Sequence, residues 1–411
     1  MCRESMAINE SMKHIYYIIN ECIAGNYGIG TYIEQLILPM QKEAKVTIVH
    51  LQSTNPTISI DNHLKVRHIH IPKCAGDIYI EQPEYSYLYY RTIFFLLKQY
   101  VSREDKNIFH FQYTHVSPLV HLLKEHYKDC VTILTLHYME WAFVLNGNTK
   151  QLRYIIKRSP ENLQTKDEHI VYKSFQRSKN LFMALDQTIC VCRYAYNLLK
   201  SDFLIPEEKL SLIPNGLDMP SISKSHRSKM SISERIILFI GRLTDGKGIR
   251  PLIAAFRLLS EQHPDLRLMI VGDGDYKTYL QECHGIWHRV SFTGKLNHQE
   301  VHALYDKASV GVLPSFNEQC SYVAIEMLQH GLPIVGTNST GLAEMIQDGK
   351  NGYKVHIKED NTLPYDELAN KILVCLDNQE VLSIGAKTVY QQHYTAKQMI
   401  FNHQKLYRKY E

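Results

Sequence analysis

Short apolar runs alternate with longer amphipathic ones along almost the whole chain, in two successive sets. Runs at 14–19, 46–50, 66–71, 108–111, 132–136 and 187–192 read as one set of strands, and runs at 236–240, 266–271, 290–292, 310–313 and 333–336 as a second. Helical stretches lie between them, for example 30–42, 87–100, 249–262 and 299–307. Strands that are apolar throughout, with helices between them, need cover on both faces, which is the condition of a parallel sheet built from βαβ units. The expected fold class is therefore α/β, with two doubly wound domains. The division falls near Leu212-Ile213-Pro214-Asn215-Gly216, a strand that ends in a turn dipeptide. That gives a first domain over 1–214 and a second over 215–393, with a polar Ser- and Lys-rich loop at 220–233 near the hinge. The helical tail, 394–411, has no strand after it and is expected to pack back on the first domain.

A chain of 411 residues is long enough for two cores, and 45% hydrophobic with 21% charged residues is ordinary for a globular protein. The net charge of +4 is too small to point to nucleic acid. Nine cysteines without metal-type pairs suggest reduced thiols and a cytoplasmic setting. No apolar run approaches the ~20 residues that cross a bilayer. Ile15 to Ile19 is too short for a signal-peptide core and reads as the first strand, after a leader without a structural role. The stretch 151–179 carries Arg153, Lys157, Arg158, Lys173, Arg177 and Lys179. It reads first as a solvated helix pair, and second as a surface facing an anionic acceptor or the inner face of a membrane.

The strand at 310–313 runs into Pro314-Ser315-Phe316-Asn317-Glu318 and then a helix, which Gly331 and Pro333 stop. Glu318 falls in the strand-to-helix turn, and Glu326 two turns into the helix on roughly the same side. In an open α/β sheet such turns border the crevice where ligands bind, and a helix start suits a phosphate. One acid at each place could hold two parts of a single nucleotide-linked substrate.

The strand at 236–240 enters Gly241-Arg242-Leu243-Thr244-Asp245-Gly246-Lys247-Gly248. The spacing is almost that of a nucleoside triphosphatase loop, but Gly248 stands where the magnesium-binding hydroxyl belongs. What remains is a glycine-rich turn with a guanidinium and an ammonium at the mouth of a strand, suited to phosphate oxygens. Gly28-Ile29-Gly30 follows the first strand as a fragment of a dinucleotide fingerprint, with Ile33 in place of its third glycine. It reads as a close backbone approach to a phosphate or sugar, or as a plain tight turn.

Other candidates have simpler explanations. Asp273-Gly274-Asp275 is turn chemistry before it is a metal pair. His298 and His302 have a zinc-like spacing, but Asn297 and Glu300 form a capping box that explains the segment. His68 and His70 share one strand face, as ordinary strand residues do. His137 ends a strand in Thr135-Leu136-His137, so a place in the crevice and a structural role both stand; His110 and His115 are weaker cases.

The ordered set of Gly28-Ile29-Gly30, Thr135-Leu136-His137, Ile213-Pro214-Asn215-Gly216, Gly241-Arg242-Leu243 with Lys247-Gly248, Val271-Gly272-Asp273-Gly274 and the Glu318/Glu326 pair resembles the retaining glycosyltransferases of family 4. The resemblance spans nearly the whole chain and implies the GT-B fold, two Rossmann-like domains facing a cleft. It further implies transfer of a sugar from a nucleotide-diphosphate donor to a glycan, lipid-linked or peptide acceptor, without metal or other cofactor. Arg242 and Lys247 would hold the diphosphate, Glu326 the ribose, and Glu318 the transferred sugar. His137 would touch the sugar, Gly28 and Gly30 would let backbone approach it, Val290 would read the base, and Ser321 would lie in the phosphate-facing helix start. Two departures stand out: Tyr27 replaces a glycine, and Gln319-Cys320-Ser321 replaces a Gly-aromatic-Gly run, with Gln319 or Cys320 able to alter which sugar fits. The rival classes are a non-catalytic nucleotide-sugar-binding protein, which would lose these charged residues, and a dinucleotide-dependent oxidoreductase, which would need the intact fingerprint and its acid.

Overall fold

The computed structural model describes residues 12–21, 28–63, 65–73, 83–218 and 234–410. The leader before Lys13 (apart from Met12), Tyr27 and the expected hinge loop at 220–233 lie outside the described residues. The first sheet is built from β1 (Lys13–Asn20), β2 (Lys45–Ser53), β3 (Ser59–His63), β4 (Val66–Pro72), β5 (Lys106–Phe111), β6 (Val131–Leu136), β7 (Gln187–Cys190) and β8 (Leu210–Leu212), in the order β3-β4-β2-β1-β5-β6-β7-β8. All pairings are parallel except that of β3 with β4. The second sheet has β9 (Arg235–Ile240), β10 (Leu266–Val271), β11 (Val290–Gly294), β12 (Val310–Leu313), β13 (Ile334–Thr337) and β14 (Gly352–Val355), all parallel, in the order β11-β10-β9-β12-β13-β14.

The central strands are buried on every residue, as in β6 and β12, because helices cover both faces. Two strands go beyond the sequence reading. β3 is mostly polar and exposed and is held by its ladder to β4 alone, and β14 is short and begins at Gly352. A side chain at Gly352 would strike the Ile334 carbonyl, so the backbone contact with β13 requires glycine.

The helix Ala396–Arg408 lies against the helix Gly28–Met40 and the first sheet. A chain of buried polar groups fastens it there. The Met399 carbonyl accepts from His403 Nδ1 at 2.8 Å, so His403 Nε2 takes the Tyr32 hydroxyl proton at 2.6 Å. Tyr32 accepts in turn from Thr135 (2.8 Å), Thr135 from His110 Nε2 (2.7 Å), His110 Nδ1 from Tyr407 (2.7 Å), and Tyr407 from Tyr17 (3.2 Å). Every member donates onward in one direction, and both imidazoles remain neutral. Burial holds His403 down to about 4 and places His110 well below the ordinary histidine range.

Candidate active site

The carboxyl ends of the two sheets face each other. Gly28 begins the helix that follows β1, and a Cβ there would lie 3.0 Å from the Tyr322 ring, at the start of the helix that follows β12. Asn215 Nδ2 donates to the Cys320 carbonyl at 2.8 Å, and Cys192 Sγ to Gln319 Oε1 at 3.2 Å. Glu344 accepts from the Arg193 and Tyr194 amides, the first at 2.8 Å, and so caps a first-domain helix with a second-domain carboxylate. Glu344 carries no local motif, and only the fold reveals its role.

Within the second domain three turns interlock. Gly248 has φ 71°, and a side chain there would collide with the Pro314 carbonyl. Gly272 and Gly274 pack just as closely on the backbone of Gly241 and Leu243. The Phe316 amide donates to the Gly246 carbonyl at 3.0 Å, which fixes the glycine-rich turn beside the turn after β12. The result is a direct ion pair between the Lys247 ammonium and the Glu318 carboxylate. Thr340 clamps the Glu318 backbone from both sides, taking its N–H at 2.9 Å and donating to its carbonyl. It does so from φ 37°, an uncommon conformation for a β-branched residue and one held only by such over-determined contacts.

Several expectations need adjustment. The helix after β12 starts at Tyr322, with Ser321 as its N-cap, whose hydroxyl accepts from the Ala324 amide at 3.3 Å. Gln319 and Cys320 therefore precede it, buried between the lobes, and Glu326 lies little more than one turn in. Gly28-Ile29-Gly30 is the first turn of a helix rather than a loop before one. Val290 opens the edge strand β11, opposite Leu268 in mid-β10, and packs on the second core. It does not reach the carboxyl end of the sheet, where Thr293 and Gly294 stand. Arg242 is exposed two residues past β9, at the mouth of the crevice.

Glu326 Oε2 accepts from the Tyr305 hydroxyl at 2.6 Å, a partner from the helix His298–Lys307 that sequence reading did not supply. Burial pushes this carboxyl above the ordinary range, and the Tyr305 bond partly offsets it. His137, at the end of β6, donates from Nε2 to Gln112 Oε1 at 2.9 Å and meets the Tyr32 ring edge-on at 4.8 Å. Burial brings it down to about 3, so the ring is neutral. Three buried polar atoms near the crevice, Asn317 Oδ1, Gln319 Nε2 and Tyr322 Oη, have no hydrogen-bond partner among the described residues. Buried groups left without partners mark a place where a polar ligand could complete them.

Asp273 and Asp275 accept from nearby backbone amides, and Asn297 with Glu300 forms a capping box. In the basic stretch, helices Thr149–Ile156 and Lys166–Ala184 form the expected pair, and Arg153, Arg158 and Arg177 are ion-paired to Asp202, Glu168 and Glu140. No helix among the described residues is long and apolar enough to cross a membrane.

Residues 27–219 match the sequence family described as glycosyltransferase family 4, and residues 234–378 match glycosyl transferases group 1. The chain belongs to this glycosyltransferase family. It is 34% identical over 192 residues to an uncharacterized glycosyltransferase of Methanocaldococcus jannaschii, covering 44% of this chain and 49% of that protein. It is 28% identical over 218 residues to the spore coat protein SA of Bacillus subtilis, covering 48% and 58%. The matched stretch thus spans about half the length of these two relatives. Among solved structures, sucrose-phosphate synthase from Thermosynechococcus elongatus superposes with a TM-score of 0.75 at 19% identity, covering 97% of this chain and 98% of that one. Anabaena HepE in complex with UDP and glucose superposes at 0.67 with 17% identity, covering 97% and 100%. The fold is GT-B.

Proposed function

We propose that this chain is a retaining, metal-independent glycosyltransferase that moves a sugar from a nucleotide-diphosphate donor to a glycan, lipid-linked or peptide acceptor. The observation that carries the proposal is the juxtaposition, at the facing sheet ends, of the Lys247–Glu318 pair with Asn317, Gln319 and Tyr322 atoms that have no hydrogen-bond partner among the described residues. HepE was crystallised with UDP-glucose, which makes a uridine diphosphate sugar the first donor to try.

Breaking a sugar–phosphate bond develops negative charge on the departing phosphate and positive charge on the sugar carbon. In the proposed roles, Lys247 and Arg242 sit on the phosphate side and the Glu318 carboxylate on the sugar side, so the ion pair prefigures the charge separation of the transition state. These two fixed cations take the part that a metal plays in other transferases. Glu326 accepts the ribose hydroxyls, the Ser321-capped helix start faces phosphate, and backbone at Gly28 and Gly30 approaches the sugar. The neutral His137 ring offers a hydrogen bond to a sugar hydroxyl without placing a positive charge beside a developing cation. With the leaving phosphate helping to take the acceptor proton on the same face, configuration at the sugar carbon is retained. Closure of the lobes excludes water.

The test is a panel of UDP- and GDP-sugars screened for thermal stabilisation, followed by NMR of the products. One donor should raise the melting temperature and release a sugar with its anomeric configuration kept. Binding without turnover would favour a sensor, and an inverted product would remove the retaining assignment.

A further inference from the structure

Three histidines on one face of the first sheet converge on a point that the transfer chemistry does not use. His50 of β2 and His70 of β4 are direct cross-strand neighbours, and His68 lies two residues from His70 on the same face. Asp61 of β3 is opposite His68, and Glu21 follows β1 two residues after Ile19, the neighbour of His50. The His50 and His70 rings stack with centroids 4.2 Å apart. One ring nitrogen from each of the three histidines lies within 4.8 Å of the others.

The ring nitrogens of the three histidines meet carboxylates and one another at hydrogen-bond distance. Glu21 Oε1 is hydrogen-bonded to His70 Nδ1 at 3.3 Å and lies 3.0 Å from His50 Nδ1 as an ion-pair contact. The Nε2 atoms of both rings point away from Glu21, toward His68 and Asp61. His50 Nε2 faces His68 Nδ1 at 2.9 Å, and two nitrogens so close cannot both carry hydrogen toward each other. His70 Nε2 faces Asp61 Oδ2 at 3.0 Å, where a lone pair would oppose a carboxylate. Both nitrogens of His70 thus face carboxylate oxygens, of Glu21 and Asp61, which suits a cation held between the rings and the acids. A carboxylate behind metal-binding imidazoles is the usual arrangement that fixes their tautomer and orientation. Three imidazole nitrogens and one carboxylate oxygen are a zinc-type donor set.

We propose that His50, His68 and His70, with Asp61 as fourth ligand and Glu21 behind two of the rings, bind a divalent transition metal of the zinc class. The ion would staple the β3–β4 hairpin to β2 and to the end of β1. Its ligands belong to the first sheet, whereas Arg242 and Lys247 belong to the second domain.

The test uses the tag-free full chain, stripped with a chelator and titrated with Co²⁺ and then Zn²⁺, followed by absorbance and calorimetry. One equivalent of cobalt should give the visible bands of a four-coordinate centre, zinc should displace it, and zinc should raise the melting temperature. His68→Gln should weaken binding by about 100-fold or more, and Asp61→Asn, at an exposed side chain that spares the fold, by about tenfold. Absence of saturable binding, or equal affinity in wild type and Asp61→Asn, would overturn the site. UDP binding by the same stripped protein reports on the transferase reading separately.

Discussion

Lys247 and Glu318, 71 residues apart in sequence, meet as a direct ion pair where the glycine-rich turn after β9 packs on the turn after β12. Neither side chain is placed by chance: Gly248 admits the Pro314 carbonyl, and Thr340 grips the Glu318 backbone.

Removing the cations should therefore cost turnover more than stability. Lys247→Ala and Arg242→Ala are each expected to lower kcat about a hundredfold, on the scale of one preorganised donor worth ~3 kcal/mol. Steady-state kinetics with the identified donor measures this. Wild-type kcat in both variants would remove the phosphate-binding role.

Glu326 should make donor affinity depend on pH. Its carboxyl titrates above the ordinary value because it is buried, so affinity for the nucleotide should fall as pH drops through that raised pKa and the carboxyl takes a proton. Tyr305→Phe removes the bond that favours the carboxylate and should move the midpoint to higher pH. Glu326→Gln should weaken binding about tenfold, from the loss of a charged hydrogen bond of ~1.5 kcal/mol, and flatten the profile. Calorimetric titration across pH decides among these outcomes.

The Tyr322 hydroxyl offers a test that separates stability from function. It is buried without a partner among the described residues, so Tyr322→Phe should leave the melting temperature unchanged or raised. The same change should weaken donor or acceptor binding several-fold, about 1 kcal/mol for one neutral hydrogen bond. A variant that binds and turns over like wild type would show that the hydroxyl meets no substrate.

The polar chain from Tyr17 to Met399 should make the protein acid-sensitive. His110 and His403 are buried and His137 half-buried, and all three are held neutral, His403 at about 4 and His137 at about 3, against an ordinary 6.5. The unfolded chain binds protons that these rings refuse, so stability should fall as pH drops below 6.5 and keep falling toward 4. Tyr32→Phe, which leaves Thr135 and His403 without their shared partner, should cost about 1–3 kcal/mol at neutral pH. Urea unfolding at several pH values measures both.

Much of this was legible from residues alone, for local reasons. The strand Val310–Leu313 and the helix Ile249–Gln262 are read correctly because apolar runs and helical periodicity are written into short windows. Gly331 ends its helix in the left-handed conformation, as expected of a C-cap. The edge strand β3 escaped because Ser59–His63 has no apolar period and is held by pairing alone. Tyr305 and Glu344 escaped for a different reason: each acts on a residue reached only through tertiary packing. Val290 was placed by analogy of motif, whereas the register of β11 on β10 sets it at the wrong end of its strand for the crevice.

The most direct measurement is a crystal structure of the full chain with the nucleoside diphosphate that binds it. The expected result places the diphosphate oxygens within hydrogen-bond reach of Arg242 and Lys247 and the ribose hydroxyls on Glu326, between the facing sheet ends. A nucleotide seated elsewhere, touching none of these three side chains, would contradict the proposed site.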